Sequence, residues 1–163
     1  MNAVAEELVR RLRDAGWTIA VAETCTGGLI GSLLTDVPGS SRVFPGGVIA
    51  YGNQPKRELL GVTPETLTAN GAVSAEAAAA MAEGVRDALG TDVGIAATGI
   101  SGPTGGGPEK PIGTVFIACA SPDGTTTEHH VWQANSAPES VREQNKHKTA
   151  LAAIDLALRA LSP

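Results

Sequence analysis

The sequence predicts an α/β domain in which a mixed, mainly parallel sheet of about five strands is covered by helices on both faces. Three observations carry that expectation. Helical and strand-like segments alternate along most of the chain, and the last two strand-like segments are joined by hairpin residues. The 163 residues, 42% apolar and 18% charged, match one domain spanning 1–163 rather than two. At this length roughly two thirds of the unfolded surface can be buried, so a core forms without disulfides or a structural metal.

The elements follow in order. Val4, Leu8, Val9 and Leu12 recur at helical spacing, and Gly16 sits where a left-handed C-cap ends that first helix. Residues 17–22 read as a buried strand, and Gly27-Gly28 turn the chain into a helix with its body at 29–34. A second strand spans 47–51 and runs through Asn53 and Pro55 into a short helix around 56–60. Thr63-Pro64 is an N-cap with proline at the first helical position, and Ser74 caps a longer alanine-rich helix that ends at Leu89 before Gly90. A third strand at 92–97 leads into 98–108, where every residue but Ile100 is Gly, Pro, Ser or Thr, which makes it a loop. Residues 112–120 and 126–132 are β-rich and pair antiparallel around Ser121-Pro122-Asp123-Gly124. A last helix starts near Pro138, with Leu151, Ile154, Leu158 and Leu161 on one stripe.

Composition removes several classes of function. Twelve basic against seventeen acidic residues give a net charge of −5, and no basic run is present to neutralise a phosphate backbone, so no nucleic-acid partner is expected. The first twelve residues carry a charge every few positions and no later run reaches the apolar length of a membrane span, so neither a signal peptide nor a membrane partner is expected. Cys25 and Cys119 form no CxxC pair and stand in no Cys/His cluster, so no metal and no disulfide framework is expected, and two lone thiols suit a cytoplasmic protein.

Chemistry is expected at the carboxyl ends of strands, where ligands bind in open α/β sheets. Two polar glycine loops lie there, Glu23-Thr24-Cys25-Thr26-Gly27-Gly28 after the first strand and Thr98 to Gly107 after the third. Neither fits G-x-G-x-x-G or the P-loop, so no dinucleotide or triphosphate is specifically indicated. Thr24, Cys25 and Thr26 are nucleophile candidates at a strand-to-helix junction. A hydroxyl needs a base. His129 and His130 fall in the hairpin and His147 on the last helix, none in a triad arrangement, whereas a desolvated lysine serves if its pKa falls. Tyr51 and Lys56 lie five residues apart across the end of the second strand, on one rim. Arg142 and Lys146, four apart on the last helix, share a face that either holds a substrate phosphate or is a solvated surface beside Glu139 and Glu143.

Taken together, Ala22-Glu23-Thr24-Cys25-Thr26-Gly27-Gly28, Gly47-Val48-Ile49-Ala50-Tyr51-Gly52-Asn53-Gln54-Pro55-Lys56, Gly99-Ile100-Ser101-Gly102-Pro103-Thr104-Gly105-Gly106 and Lys110-Pro111-Ile112-Gly113-Thr114-Val115 resemble the CinA C-terminal domain family in order and spacing. The resemblance implies a three-layer α/β/α fold, commonly dimeric, in a stand-alone, PncC-type form. It implies a hydrolase of pyridine-nucleotide (NAD) salvage, a nicotinamide-nucleotide amidase that converts nicotinamide mononucleotide and water to nicotinate mononucleotide and ammonia without a cofactor. The family's serine falls on Thr24, and its tyrosine and lysine fall on Tyr51 and Lys56. These positions imply hydroxyl attack on the carboxamide carbon, with Lys56 taking the proton, Tyr51 relaying it to departing ammonia, and an acyl-enzyme hydrolysed in a second step. Thr26, Gly27, Gly28, Gly99, Ser101, Gly102, Arg142 and Lys146 are the implied substrate-binding residues, with oxyanion donors from Gly27 and Gly28 or from the 99–106 stretch.

Three departures matter. Thr24 adds a methyl beside the scissile carbonyl. Gly52 replaces a small hydroxyl residue. The family's Gly-Asp-Arg before the last helix has no clean match, so either Arg142 and Lys146 stand on its two arginines or Arg142 stands on the second and Pro138 on the first. The alternative to an amidase is a family member that binds a pyridine nucleotide or a protein partner without turnover.

Overall fold

The computed structural model describes residues 2–133 and 137–161. Its elements are α1 (Ala3–Ala15), β1 (Ile19–Glu23), α2 (Leu29–Thr35), β2 (Gly46–Ile49), α3 (Asn53–Leu60), α4 (Pro64–Asn70), α5 (Ala75–Leu89), β3 (Val93–Gly99), β4 (Thr114–Ser121), β5 (Gly124–Val131) and α6 (Pro138–Ala160). The sheet runs in the order β2-β1-β3-β4-β5, with β1 parallel to both β2 and β3 and the last two strands added antiparallel. This is the mixed sheet the sequence predicts.

Side-chain alternation along the strands builds two different cores. Ile19, Val21, Val93, Ile95, Val115 and Ile117 face one way and meet α1, α2 and α6. Ala20, Ala22, Ala96, Ala118 and Ala120 face the other way and meet Ala78, Met81, Ala82 and Val85 of α5 with Leu60 at the end of α3. The bulky face keeps its helices at ordinary distance, and the alanine face lets α5 press close. At Gly84 of α5 an added methyl would collide with the carbonyl of Leu60, so the α3–α5 contact depends on a residue without a side chain.

The predicted caps form. Gly16 takes a left-handed φ of 69° behind α1, Thr63 Oγ1 accepts from Thr66 N at 3.1 Å, and Ser74 Oγ accepts from Ala77 N at 3.1 Å. Three expectations shift. The second strand stops at Ile49, leaving Tyr51 in the connection to α3. The hairpin is tighter than the sequence suggests, because Ser121 pairs with Gly124 across a two-residue turn. On α6 the fully buried stripe is Asn145, Thr149, Ala150, Ala153, Ile154, Leu156 and Ala157, while Leu151, Leu158 and Leu161 are only half-buried at its flanks. Small residues take most of the centre because α6 packs against α1, α2 and two strands at once, and of its leucines only Leu156 is buried there. Among the described residues no helix is long and apolar enough to cross a membrane.

Candidate active site

The three parallel strands deliver the site from their carboxyl ends. β1 ends at Glu23 and hands on to Thr24, Cys25 and Thr26; β2 hands on to Ala50 and Tyr51; β3 hands on to the Gly99–Gly107 loop. Edge strand β2 is followed at once by α3, which turns Lys56 back beneath the strand ends.

Thr24 and Lys56 meet at one atom. Thr24 Oγ1 donates to the Ala50 carbonyl at 3.1 Å, and Lys56 Nζ donates to the same oxygen at 3.0 Å. Lys56 Nζ also reaches the carbonyls of Tyr51 and Gly52, each at 3.4 Å. Both side chains are buried, Lys56 to 1% exposure. Desolvation pushes the lysine pKa below its ordinary value, because burial penalises the ammonium more than the neutral amine. Tyr51 is different. Its ring is 68% exposed, and its carbonyl rather than its hydroxyl touches Lys56.

Cys25, next to the candidate nucleophile, is inert by environment. Burial pushes its thiol up to about 11, and the nearby Ser101 hydroxyl and Lys146 ammonium only partly oppose that. Cys119, inside β4, is pushed up to about 12 by burial.

Two cavities meet at this end of the sheet. The smaller, about 290 Å³, is lined by Thr24, Tyr51, Lys56, Gly99, Ser101 and Gly102 among others. The larger, about 550 Å³, is lined by Thr26, Gly27, Gly28, Lys146 and His147, with Glu139 and Glu143 on its rim. Arg142 lines both. Every candidate site residue read from the sequence therefore lies on one wall or the other, with the hydroxyl–lysine pair on the smaller cavity and the cationic helix face on the larger. His129 and His130 lie apart from the site, stacked on Phe116 and Trp132.

The residues that sequence reasoning passed over are structural supports of this site. Glu23, 1% exposed, accepts from the amides of Gly28 at 2.9 Å, Ile30 at 3.1 Å and Gly31 at 2.8 Å. It caps α2 from within the chain, and the amide of Gly27 is taken by the Thr24 carbonyl at 3.2 Å. The Gly27 and Gly28 amides are thus committed inside the protein and are not available as oxyanion donors. Asn145, fully buried on α6, donates to the Ser101 carbonyl at 2.9 Å and so ties α6 to the glycine loop. Its Oδ1 and the hydroxyls of Thr26 and Ser101 are buried without a hydrogen-bond partner among the described residues. A buried acceptor or hydroxyl left unpaired costs about 1–3 kcal/mol, so these are the polar atoms with capacity to spare for a ligand. The signal for Glu23 was its place at a strand end just before a helix that starts on two glycines; for Asn145 it was an amide inside a stripe of small apolar residues.

Comparison with known proteins agrees with this architecture. A family model described as the CinA C-terminal domain matches residues 1–161. The chain belongs to the CinA C-terminal domain family. Among curated CinA-like proteins, one from a Synechocystis species is 58% identical over 123 residues, covering 76% of this chain and 30% of its own length. Another, from Syntrophotalea carbinolica, is 45% identical over 154 residues, covering 94% of this chain and 36% of its own. The chain therefore spans about a third of the length of the curated CinA relatives it matches. Solved CinA-type structures match end to end. The competence/damage inducible protein CihA from Agrobacterium tumefaciens is 37% identical with a TM-score of 0.85, covering 99% of this chain and 97% of that one. A competence or damage-inducible protein from Enterobacter asburiae is 29% identical with a TM-score of 0.89, covering 98% and 96%.

Proposed function

We propose that the protein hydrolyses the carboxamide of nicotinamide mononucleotide to nicotinate mononucleotide and ammonia, with Thr24 as nucleophile. The observation that carries this reading is the convergence of Thr24 Oγ1 and Lys56 Nζ on the Ala50 carbonyl at the wall of the smaller cavity. A hydroxyl is a weak nucleophile until a neighbouring base takes its proton, and a lysine with a lowered pKa is such a base. Neutral Lys56 accepts the Thr24 proton as Oγ1 bonds to the carboxamide carbon. The resulting ammonium returns a proton to the amide nitrogen as the C–N bond breaks and ammonia leaves. Water then attacks the threonyl ester, giving a proton to Lys56, which returns it to Thr24 Oγ1 as the ester C–O bond breaks; the carboxylic acid formed ionises on release. Tyr51 stands at the open rim, where the resemblance assigns it a part in relaying the proton. The pyridine ring occupies the smaller cavity, and Arg142 and Lys146 take the phosphate in the larger one, with the Thr26 and Ser101 hydroxyls as further donors. A small nucleotide is the partner proposed, and a homodimer the assembly.

A second reading has its own observation. Thr24 Oγ1 is buried, donating to the Ala50 carbonyl with Met81 Sδ 3.9 Å away, and a threonine whose hydroxyl is held there can bind a pyridine nucleotide without turning it over. The test is ammonia release from nicotinamide mononucleotide by the purified protein beside Thr24→Ser and Lys56→Ala. Activity in the parent that disappears in Lys56→Ala supports the amidase. Release from Thr24→Ser alone supports the binding protein, and release unchanged in Thr24→Ala removes Thr24 from the nucleophile position.

A further inference from the structure

The end of α4 and the turn that follows it, residues 70–73, form part of the smaller cavity through Ala72 and Val73, and all four carbonyls are held by side chains. Lys110 Nζ donates to Asn70 O at 3.1 Å and to Val73 O at 2.6 Å. Ser74 Oγ donates to Gly71 O at 2.9 Å, and Thr98 Oγ1 donates to Ala72 O at 2.8 Å. Gly71 has a left-handed φ of 77°, and a methyl there would lie 3.5 Å from the Lys110 ammonium, so the segment is folded around that charge. Lys110 comes from the far end of the glycine loop, some forty positions along the chain.

The amides tell the complementary half. Gly71 N donates to Leu67 O, but the amides of Ala72 and Val73 have no acceptor among the described residues. A charge-assisted hydrogen bond from an ammonium is roughly twice as strong as a neutral one, and Lys110 makes two of them to the ends of this segment. The outcome is a short stretch of cavity wall whose carbonyls are all held and whose Ala72 and Val73 amides are unpaired among the described residues, in the cavity lined by Thr24 and Lys56. Donors fixed before the reaction are what stabilises charge developing on a carbonyl oxygen.

We infer that Lys110 is a positioning residue of this site, clamping the 70–73 wall so that its free amides are held ready for the substrate's carbonyl oxygen. The inference rests on the amidase reading for its chemistry but not for the clamp itself. It fills the place left by the amides of Gly27 and Gly28, which the chain uses internally.

The test compares Lys110→Met, Lys110→Arg and Thr98→Val with the parent in steady-state ammonia release and in amide hydrogen exchange. Expected is a fall in kcat of about a hundredfold for Lys110→Met, the scale on which loss of geometry or of one oxyanion donor acts, with KM changed less than about threefold. Lys110→Arg retains a second donor to the same carbonyls and recovers most of that kcat, and Thr98→Val, which frees one carbonyl, gives a smaller loss. The bonded amides that flank the segment, Gly71 N on Leu67 O and Ala77 N on Ser74 Oγ, exchange faster in Lys110→Met while those of β3 do not. A kcat within threefold of the parent, or a rise in KM alone, overturns the positioning role. If the parent releases no ammonia the amidase reading is what has failed, and exchange then decides the clamp: faster exchange confined to the Gly71 and Ala77 amides supports it, and unchanged exchange overturns it. A Lys110→Met protein that does not fold, together with Thr98→Val exchanging like the parent, also overturns it.

Discussion

Among the described residues the largest fully buried side chain is a lysine. Lys56 has no carboxylate partner among its hydrogen bonds, only three carbonyls, so the fold bears the cost of an ammonium that water would solvate better. Its folded pKa lies below the ordinary 10.5, so the unfolded chain binds the proton more readily than the folded one. Below the folded value the cost is carried in full; stability then rises with pH through the window between the two values and levels off above the ordinary lysine value. Two outcomes follow for Lys56→Met. Ammonia release is abolished, and at pH 7 chemical denaturation shows the variant as stable as the parent or more so, by about 1 kcal/mol. In the parent, kcat climbs with pH on a limb set by Lys56, with an apparent pKa below 10.5. A buried acid behaves in the opposite sense when removed: Glu23→Ala strands three amides at the start of α2 and lowers unfolding free energy by about 3 kcal/mol or more, read by urea titration. At this scale the sequence was legible where chemistry needs a rare residue, a lone tyrosine or a lysine beside a strand end. It was not legible for Glu23, Asn145 and Lys110, whose partners are backbone groups that no side-chain pattern reveals.

At the scale of elements, boundaries were readable because they rest on local chemistry: Thr63-Pro64 and Ser74 start helices, and Gly16 stops one, by bonds formed within a few residues. The stripe on α6 was not, because leucine frequency marks where large side chains sit and not which face approaches the sheet. Alanine is the commonest residue on both that face and the inner face of α5. Close approach has a measurable signature at Gly84. In an exposed helix, Gly→Ala stabilises by about 1 kcal/mol through backbone entropy. Here the added methyl meets the Leu60 carbonyl, and overpacking at about 1–3 kcal/mol outweighs the gain. Gly84→Ala therefore lowers the thermal midpoint, and an unchanged or higher midpoint would show that α3 slides away freely.

For the whole molecule, the two cavities share Arg142 as a wall residue, and the nucleotide proposed above spans both. That arrangement separates two contributions that a single pocket would mix. Arg142→Ala raises KM for nicotinamide mononucleotide by about tenfold, the order expected for losing one charge-assisted contact, and leaves KM for the phosphate-free riboside within twofold. Equal effects on both compounds would place Arg142 against the ring instead. The family and fold were readable from four ordered motifs, whereas the joining of two cavities was not, because it depends on how α6 crosses the end of the sheet. One feature of the sheet reaches further. The carbonyl that gathers Thr24 and Lys56 belongs to the residue just after β2, a four-residue strand paired on one side only and tied onward by a single bond from Ala50 N to Glu23 O at 2.8 Å. Edge segments open locally at free energies below that of global unfolding. The protein carries, in effect, a fuse: mild denaturant frays the margin of the sheet and parts Lys56 from Thr24 while the interior stays folded, so, on the amidase reading, urea titration finds ammonia release lost before the far-ultraviolet circular dichroism signal.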